Sequence, residues 1–239
     1  MILGRKKKNK KDQVHYLCYF KAPFIIIALN AFVFFRTNIL DFPAEVLQSL
    51  ILYPANIVHG KYLCVLTAGF IHADISHFAF NMLGVLVFGH VVERRLGVLK
   101  TLYVYFGASI ISLLASVLIY MFLLNSNTGI IGASGAVMGL LGAAVLFNPF
   151  SITYEMILPI PTMFKGWGFF YLDIKGFLGG EQDGVSHLAH VLGFASIVIL
   201  VYLLSHEDKE QMQKGFMINI LSFCVLVGFI LLYQRIGGV

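Results

Sequence analysis

The sequence of 239 residues is 59% hydrophobic and 12% charged, with a mean hydropathy of +0.84, whereas an ordinary soluble domain is roughly 25% charged. A single soluble domain of this length cannot bury so much apolar side chain, so that class is excluded. Six basic residues lie between positions 5 and 11, and without them the formal net charge of +5 becomes −1. Such a terminal cluster beside an apolar segment predicts membrane orientation and contact with anionic lipid rather than nucleic-acid binding.

Seven apolar segments are long enough, or nearly so, to cross a bilayer. Each is predicted as a helix, because the backbone must satisfy its own hydrogen bonds in hydrocarbon. The fifth segment is the weakest, since Lys165, Asp173 and Lys175 interrupt it. The predicted spans are 17–40, 76–92, 99–124, 132–147, 161–178, 185–204 and 216–233.

The distribution of basic residues predicts the orientation of the chain. Most of them fall in the tail and in the segments that follow spans two and six, so the N-terminus is expected in the cytoplasm and the C-terminus outside. We expect the protein in the cell membrane. The segment 41–75, which is apolar but interrupted by two prolines, is expected to lie along the outer surface. Gly179, Gly180 and Gly184 predict that the short outer loop before span six can move.

Polar groups inside predicted spans indicate function, because they are costly there. With this orientation, spans two, four and six all run inward, and each carries such a group near its outer end: His77 and Asn81, Ser134, and His190. At about 1.5 Å per residue these groups lie at a similar depth. The sequence therefore predicts one layer that holds a hydroxyl, two imidazoles and a carboxamide. A hydroxyl beside an imidazole is the arrangement that nucleophilic catalysis needs.

Small residues predict that spans four and six pack closely. Ala189 and Gly193 on span six have the small-xxx-small spacing that allows such an approach, and His190 lies beside them. Ordinary helix packing and a serine bonded to its own helix are the alternatives for each feature taken alone. The start of span four also leaves backbone N–H groups unpaired near Ser134, available to an oxyanion. The glycines on span four are Gly132, Gly135, Gly139 and Gly142.

Several motifs together resemble the rhomboid family of intramembrane serine proteases, over about residues 67–204. The implied fold is all-α and polytopic, with a six-helix rhomboid-like core and one further C-terminal transmembrane helix. The expected organisation is a basic cytoplasmic tail at 1–16, the core at 17–205, and a cytoplasmic linker with the seventh helix at 206–239. The motifs are Gly132-Ala133-Ser134-Gly135, His72-x4-His77-x3-Asn81, Ala189-His190-x2-Gly193 and Gly89-x3-Glu93-Arg94-Arg95-Leu96-Gly97.

The resemblance implies a role for each matching residue. Ser134 would be the nucleophile and His190 the general base and then acid, a pair that needs no carboxylate. The backbone N–H of Ser134 and the side chains of His77 and Asn81 would form the oxyanion site, and His72 would be structural. No cofactor or metal is implied. The implied substrates are single-span transmembrane proteins, cut in or near the transmembrane segment. Gly132, Gly135, Gly193 and Met138 match positions beside the site.

The sequence departs from the family pattern at a few positions. An aromatic residue often follows the serine by four positions, and here it is Met138, which offers only a sulfur contact to the histidine ring. The family's Trp-Arg pair in the first outer loop is Leu63 and Cys64, and a glycine four residues after Gly193 is Ile197. These departures bear on rate, loop anchoring and helix spacing, since no reacting group is missing.

The sequence leaves two other functions and one other candidate for the general base open. His187 competes with His190 as the base, and the register with Gly193 favours His190. A catalytically inactive relative that acts as a membrane chaperone or retrotranslocation factor is the first alternative function. A metal-dependent protein is the second, with His72, Asp74, His77, His187 and His190 as ligands. No His-Glu-x-x-His sequence occurs, which argues against a zinc metalloprotease. Three scattered cysteines predict neither disulfides nor a metal site.

Overall fold

The computed structural model describes residues 20–153, 159–180 and 185–235. The predictions made for the basic cluster at 5–11 and for Gly184 concern residues outside these ranges. Its helices are α1 (Lys21–Phe34), α2 (Ala44–Leu50), α3 (Pro54–Val58), α4 (Cys64–Thr67), α5 (Ile75–Leu96), α6 (Val98–Phe122), α7 (Ser134–Phe147), α8 (Thr162–Gly179), α9 (His187–Ala195), α10 (Ile197–Leu200) and α11 (His206–Arg235). A π-helical turn, Phe35–Ile39, extends α1, and 3-10 turns, Ala68–Phe70 and Val201–Leu203, follow α4 and α10.

Within these ranges, four helices are long and apolar enough to cross a membrane: α1 with its π-helical turn, α5, α6 and α11. The helix α7 and the segment His187–Leu203 are shorter apolar helices. Helix α8 has 18 residues and carries the three charged residues that weakened the fifth predicted span. The prediction of a polytopic helical membrane protein is confirmed.

Short elements occur in the segment 41–75, which was expected to lie along the outer surface, and in the connection between α7 and α8. Helices α2, α3 and α4 have 7, 5 and 4 residues, so none of them crosses a bilayer. Between α7 and α8, strand β1 (Ile152–Thr153) pairs antiparallel with strand β2 (Ile160–Pro161). Only helices were predicted from the sequence, so this small hairpin is an addition to the all-α prediction.

Helix α7 is the centre of the molecule. Twelve of its 14 residues are buried, and it contacts α5, α6, α8, α9, α10 and α11. A helix can be enclosed in this way when it is apolar on all sides and carries mostly small side chains. Ser134, the residue at its first position, therefore belongs to a helix that is packed among six others.

The glycines of α7 allow two neighbours to approach. A Cβ atom on Gly193 of α9 would overlap the carbonyl group of Gly135, and one on Gly139 would overlap the Ala108 side chain of α6. The close packing of predicted spans four and six is therefore present. It brings the backbone of α9 against the first turn of α7, where Ser134 lies.

The sixth predicted span is broken near its middle. Helix α9 ends at Ala195 and α10 begins at Ile197, with Ser196 between them. The Ser196 hydroxyl donates to the Gly193 carbonyl at 2.6 Å, and its backbone N–H donates to both Leu192 and Gly193. Such bonds compete with regular helical bonds and tighten the turn, which explains the break.

The last helix begins earlier than predicted. Residues 206–215, expected to be a linker, form the first turns of α11. Asn219 of α11 donates to the Val145 carbonyl at 3.0 Å and accepts from the Trp167 indole N–H at 3.0 Å. Lys100 and Asp208 form an ion pair near the start of the helix. These contacts attach α11 to α6, α7 and α8. The charged segment 206–215 is therefore part of the helix and not a separate linker.

The carboxylate of Glu93 joins α5 to the start of α1. Glu93 is 2% exposed, and it accepts from the backbone N–H groups of Ala22 at 2.8 Å and Lys21 at 3.3 Å. These are donors that the first turn of a helix cannot satisfy by itself. An acidic residue is favoured at a helix N-terminus, so this contact explains why α1 begins at Lys21.

Candidate active site

A cavity of about 680 Å³ lies between α5, α7 and α8, and α9 contributes one residue to it. Its wall is mostly apolar, as is common for sites that bind organic ligands. The polar or charged side chains that line it are Asn81, Ser134, Lys165, Asp173 and His190. The cavity therefore joins three of the predicted site residues with a carboxylate and an ammonium group.

Ser134 is the first residue of α7, and the backbone before it is not helical. Gly132 has a φ of +103°, and its N–H donates to the Ala68 carbonyl at 2.9 Å. The assignment of Gly132 to a helical glycine face was therefore wrong. Glycine is needed there because of the positive φ, and because a Cβ would lie 2.7 Å from His77 Nε2. As the first helical residue, Ser134 has a backbone N–H without an acceptor inside the helix.

His190 and His187 share one carboxylate oxygen. Nδ1 of each ring lies 2.9 Å from Oδ1 of Asp173, which is 6% exposed. His190 lines the cavity that contains Ser134, and His187 is not among the lining residues. Of the two histidines proposed from the sequence, His190 is the one that shares a cavity with the serine.

Sequence reasoning missed Asp173 as a site residue. It treated Asp173 only as a charge that weakens the fifth predicted span, and the resemblance implied a serine and histidine pair without a carboxylate. In the structure the carboxylate bonds directly to His190. The signal that could have found it is the cost of an ionisable group in an apolar segment, which marks such residues as functional by default.

His77 and Asn81 lie one turn apart near the start of α5. Asp74 caps the helix by accepting from the His77 backbone N–H at 2.8 Å. The Ala73 N–H donates to Nδ1 of His77 at 3.4 Å, so Nε2 carries the ring hydrogen and is a donor next to Gly132. The Asn81 amide donates to the His77 carbonyl at 3.0 Å and retains a second N–H. Two side-chain donors thus lie beside the segment that precedes Ser134.

His72 is a buried aromatic neighbour of this site. It is 1% exposed, and its ring lies against Phe34, Phe78 and His77. Burial lowers the pKa of His72 to about 4, helped by the nearby His77, while the Phe70 carbonyl opposes the change. The ring is therefore neutral at pH 7 and contributes packing.

The positions that depart from the family pattern are accommodated by local packing. Met138 is 6% exposed and lines the cavity. Cys64 is fully buried, and its Sγ donates to the Lys61 carbonyl at 2.9 Å. Ile197 lies against the space that the missing side chain of Gly142 leaves. A glycine on α7 thus makes room for the larger residue on α10.

One group of side chains could hold a metal ion within residues 20–153, 159–180 and 185–235. It consists of Asp173, His187 and His190, whose ligand atoms all lie within 4.8 Å of one another. His72, Asp74 and His77 do not belong to this group. The set of five ligands considered for a metal-dependent protein is therefore not assembled.

A serine at the first position of a buried helix and a carboxylate-bound histidine, in one cavity of a polytopic membrane protein, define a candidate intramembrane hydrolase. Residues 59–207 match the model of the Rhomboid domain, and the chain belongs to the rhomboid family. This confirms the family that the sequence motifs indicated. Membership of this family means that the chain is a multi-pass membrane protein of a protease family.

Individual relatives cover the chain to different extents. It is 33% identical over 147 residues to RHOMBOID-like protein 4 of Arabidopsis thaliana, which corresponds to 59% of this chain and 33% of that protein. It is 29% identical over 229 residues to Rhomboid-like protein 11, chloroplastic, of the same plant, with 89% and 74% covered. It is 26% identical over 231 residues to Rhomboid protease AarA of Providencia stuartii, with 87% and 81% covered. The chain thus spans about a third of the first relative and most of the other two.

Proposed function

We propose that this chain is a serine endopeptidase that hydrolyses a peptide bond in or near the transmembrane segment of membrane proteins. The observation that carries the proposal is that Ser134 and His190 line the same cavity, with Nδ1 of His190 hydrogen-bonded to Asp173. The match to the rhomboid domain and to relatives named as proteases supports it. A cavity between helices gives the reaction a place apart from bulk lipid.

In the proposed reaction, Ser134 Oγ attacks the carbonyl carbon of the scissile bond while His190 Nε2 takes the hydroxyl proton. The tetrahedral intermediate collapses when His190 gives this proton to the leaving amine, which leaves an acyl ester on Ser134. Water, deprotonated by the same ring, then hydrolyses the ester and restores the hydroxyl. Each step moves one proton through one nitrogen, so no metal or cofactor is required.

The oxyanion of the intermediate would be bound at the start of α7. The backbone N–H of Ser134, Nε2–H of His77 and the second N–H of Asn81 are the proposed donors. His77 Nε2 would lie 2.7 Å from a Cβ on Gly132, and Asn81 is part of the cavity wall, and both observations support this assignment. Donors fixed by helix packing stabilise developing charge without reorganising.

Asn81→Ala separates this role from a role in folding. We expect kcat to fall on the order of 10- to 1,000-fold with little change in KM, because the donor acts mainly in the transition state. The melting temperature should fall only slightly, since the Asn81 side chain donates its hydrogen bond to the His77 carbonyl of its own helix. Asn30→Ala is the comparison: Asn30 is buried away from the cavity and donates to Tyr105, so its loss should lower the melting temperature alone. A destabilised Asn81→Ala enzyme of normal specific activity would make Asn81 a packing residue.

The proposed membrane arrangement has six core spans and one more. They are α1, α5, α6, α7, α8 and the α9–α10 segment, with α11 as the seventh. Alternate crossing with a cytoplasmic N-terminus puts Ser134, His77 and His190 near the outer side of the membrane, and the C-terminus outside. We propose single-span proteins as substrates, cut near the outer membrane edge after a small residue, with anionic lipid against the basic tail.

The test is proteolysis by the purified protein in liposomes. A single-span reporter should be cut near the outer edge of its transmembrane segment, and mass spectrometry of the fragments locates the bond. A fluorophosphonate should form an adduct on Ser134, and a chelator should leave both results unchanged. Absence of both cleavage and adduct would favour the inactive chaperone or retrotranslocation factor. Inhibition by a chelator that zinc reverses would favour a metal-dependent reaction.

A further inference from the structure

Asp173 is the buried acidic group in this cavity that the proposed reaction does not use. Helix α8 carries it to α9, where it is 6% exposed and its Oδ1 lies 2.9 Å from Nδ1 of both His190 and His187. An ionisable side chain in a membrane-embedded helix is costly and requires partners. Among the residues that the structure describes, its hydrogen-bond partners are the two histidines of α9, and one of them lies in the cavity with Ser134.

We propose that Asp173 is a positioning residue that holds His190 in the ring orientation and tautomer required for its reaction with Ser134. The inference rests on the proposed function, and it adds a third residue to the serine and histidine pair. Asp173 would act through His190 and would not touch the substrate.

The chemistry of the two groups fixes the direction of the hydrogen bond. A carboxylate only accepts, so Nδ1 of His190 must carry the hydrogen and donate it to Oδ1. A neutral imidazole has one ring hydrogen, so Nε2 then holds a free electron pair. This is the atom that must take the serine proton. Without the carboxylate, the other tautomer and a flipped ring compete with the productive arrangement.

His187 binds the same oxygen of the Asp173 carboxylate as His190 does. It lies three residues before His190, nearly one turn of α9, so the two rings reach the same carboxylate from one face of the helix. The shared oxygen cannot follow one ring without losing the other. His187 therefore supports Asp173, and its loss should have a smaller effect than the loss of the carboxylate.

The carboxylate also acts on the charge that the reaction creates. When His190 takes the proton from Ser134 the ring becomes a cation, at 2.9 Å from the Asp173 oxygen. The attraction between opposite charges in a site with apolar walls is stronger than in water. The intermediate is favoured by this contact more than the resting state is, which raises kcat and leaves KM unchanged.

The decisive variant is Asp173→Asn, which keeps the shape of the side chain and removes its charge. Turnover of the transmembrane reporter is measured in liposomes, with a chelator present because the same three groups could hold a metal ion. We expect kcat to fall on the order of 10²- to 10⁴-fold with KM unchanged. The melting temperature should stay near that of the wild-type protein. Asp208→Asn is the matched control, since Asp208 pairs with Lys100 outside the cavity, and it should retain full activity.

A second variant, Asp173→Glu, retains the carboxylate on a longer side chain and should recover part of the kcat that Asp173→Asn loses. Wild-type kcat in Asp173→Asn would overturn the positioning role and leave the proposed function standing. A loss of activity that only follows a loss of folded protein, equal in Asn and Glu variants, would also overturn it. A wild-type protein that neither cleaves the reporter nor reacts with a fluorophosphonate would overturn the proposed function itself.

Discussion

Ser134→Ala is expected to abolish cleavage of a transmembrane reporter, a loss on the order of 10³-fold or more, because the attacking oxygen is removed. The variant should insert, purify and melt like the wild-type protein. Alanine is a good helix former, and it adds no atom to the glycine seam around Gly135 and Gly193. Activity is measured with the reporter in liposomes, and folding is measured by the melting temperature of the same preparation.

The matched control for this variant is Ser126→Ala. Ser126 is a half-buried loop serine whose hydroxyl forms a hydrogen bond with that of Thr128, away from the cavity. It should retain both cleavage and fluorophosphonate labelling, whereas Ser134→Ala should lose both together. Cleavage that persists in Ser134→Ala would contradict the serine mechanism, whatever the effect of the other variants.

The second large effect is expected at His190. His190→Ala should lower kcat on the order of 10²- to 10⁴-fold, because His190 supplies the one imidazole among the described residues that line the cavity, and an imidazole is needed to accept the serine proton. His187→Ala should leave a measurable fraction of activity, since His187 binds the Asp173 carboxylate and does not line the cavity that contains Ser134. The two rates are compared at equal amounts of folded protein in the presence of a chelator.

His206→Ala is the control for the loss of an imidazole, because this ring is exposed at the start of α11 and pairs with Glu210. It should behave like the wild-type protein. If His187→Ala were inactive and His190→Ala active, the base would be His187 and the proposed register of α9 would be one turn in error.

Much of the site could be predicted because depth along a helix follows from sequence position. Ser134 and His190 each lie near the start of an apolar segment, and a fixed rise per residue puts them at one level. The glycines predicted close packing because the absence of a side chain is itself the cause of the approach. Each of these inferences uses the sequence of a single helix, together with the direction in which that helix crosses the membrane.

Contacts between helices were harder to predict. Helix α7 is apolar on all sides, so its sequence holds no periodic signal that tells which side faces which neighbour. The bond between Asp173 and His190 depends on the rotation of α8 and α9 about their own axes. Gly132 fits the spacing of the helical glycines by coincidence, and only its φ shows that it belongs to the turn before the helix.

The hydrogen bonds between the Glu93 carboxylate and the first turn of α1 have a consequence for how the protein is synthesised. The carboxylate that satisfies the first turn of α1 lies 71 residues after Ala22, so at about 5–20 residues per second the ribosome adds it about 4–14 s later. Until then those N–H groups need water or lipid headgroups as partners. Helix α1 therefore reaches its final place only after α5 has entered the bilayer, and a nascent chain halted before residue 93 has α1 without its permanent partner.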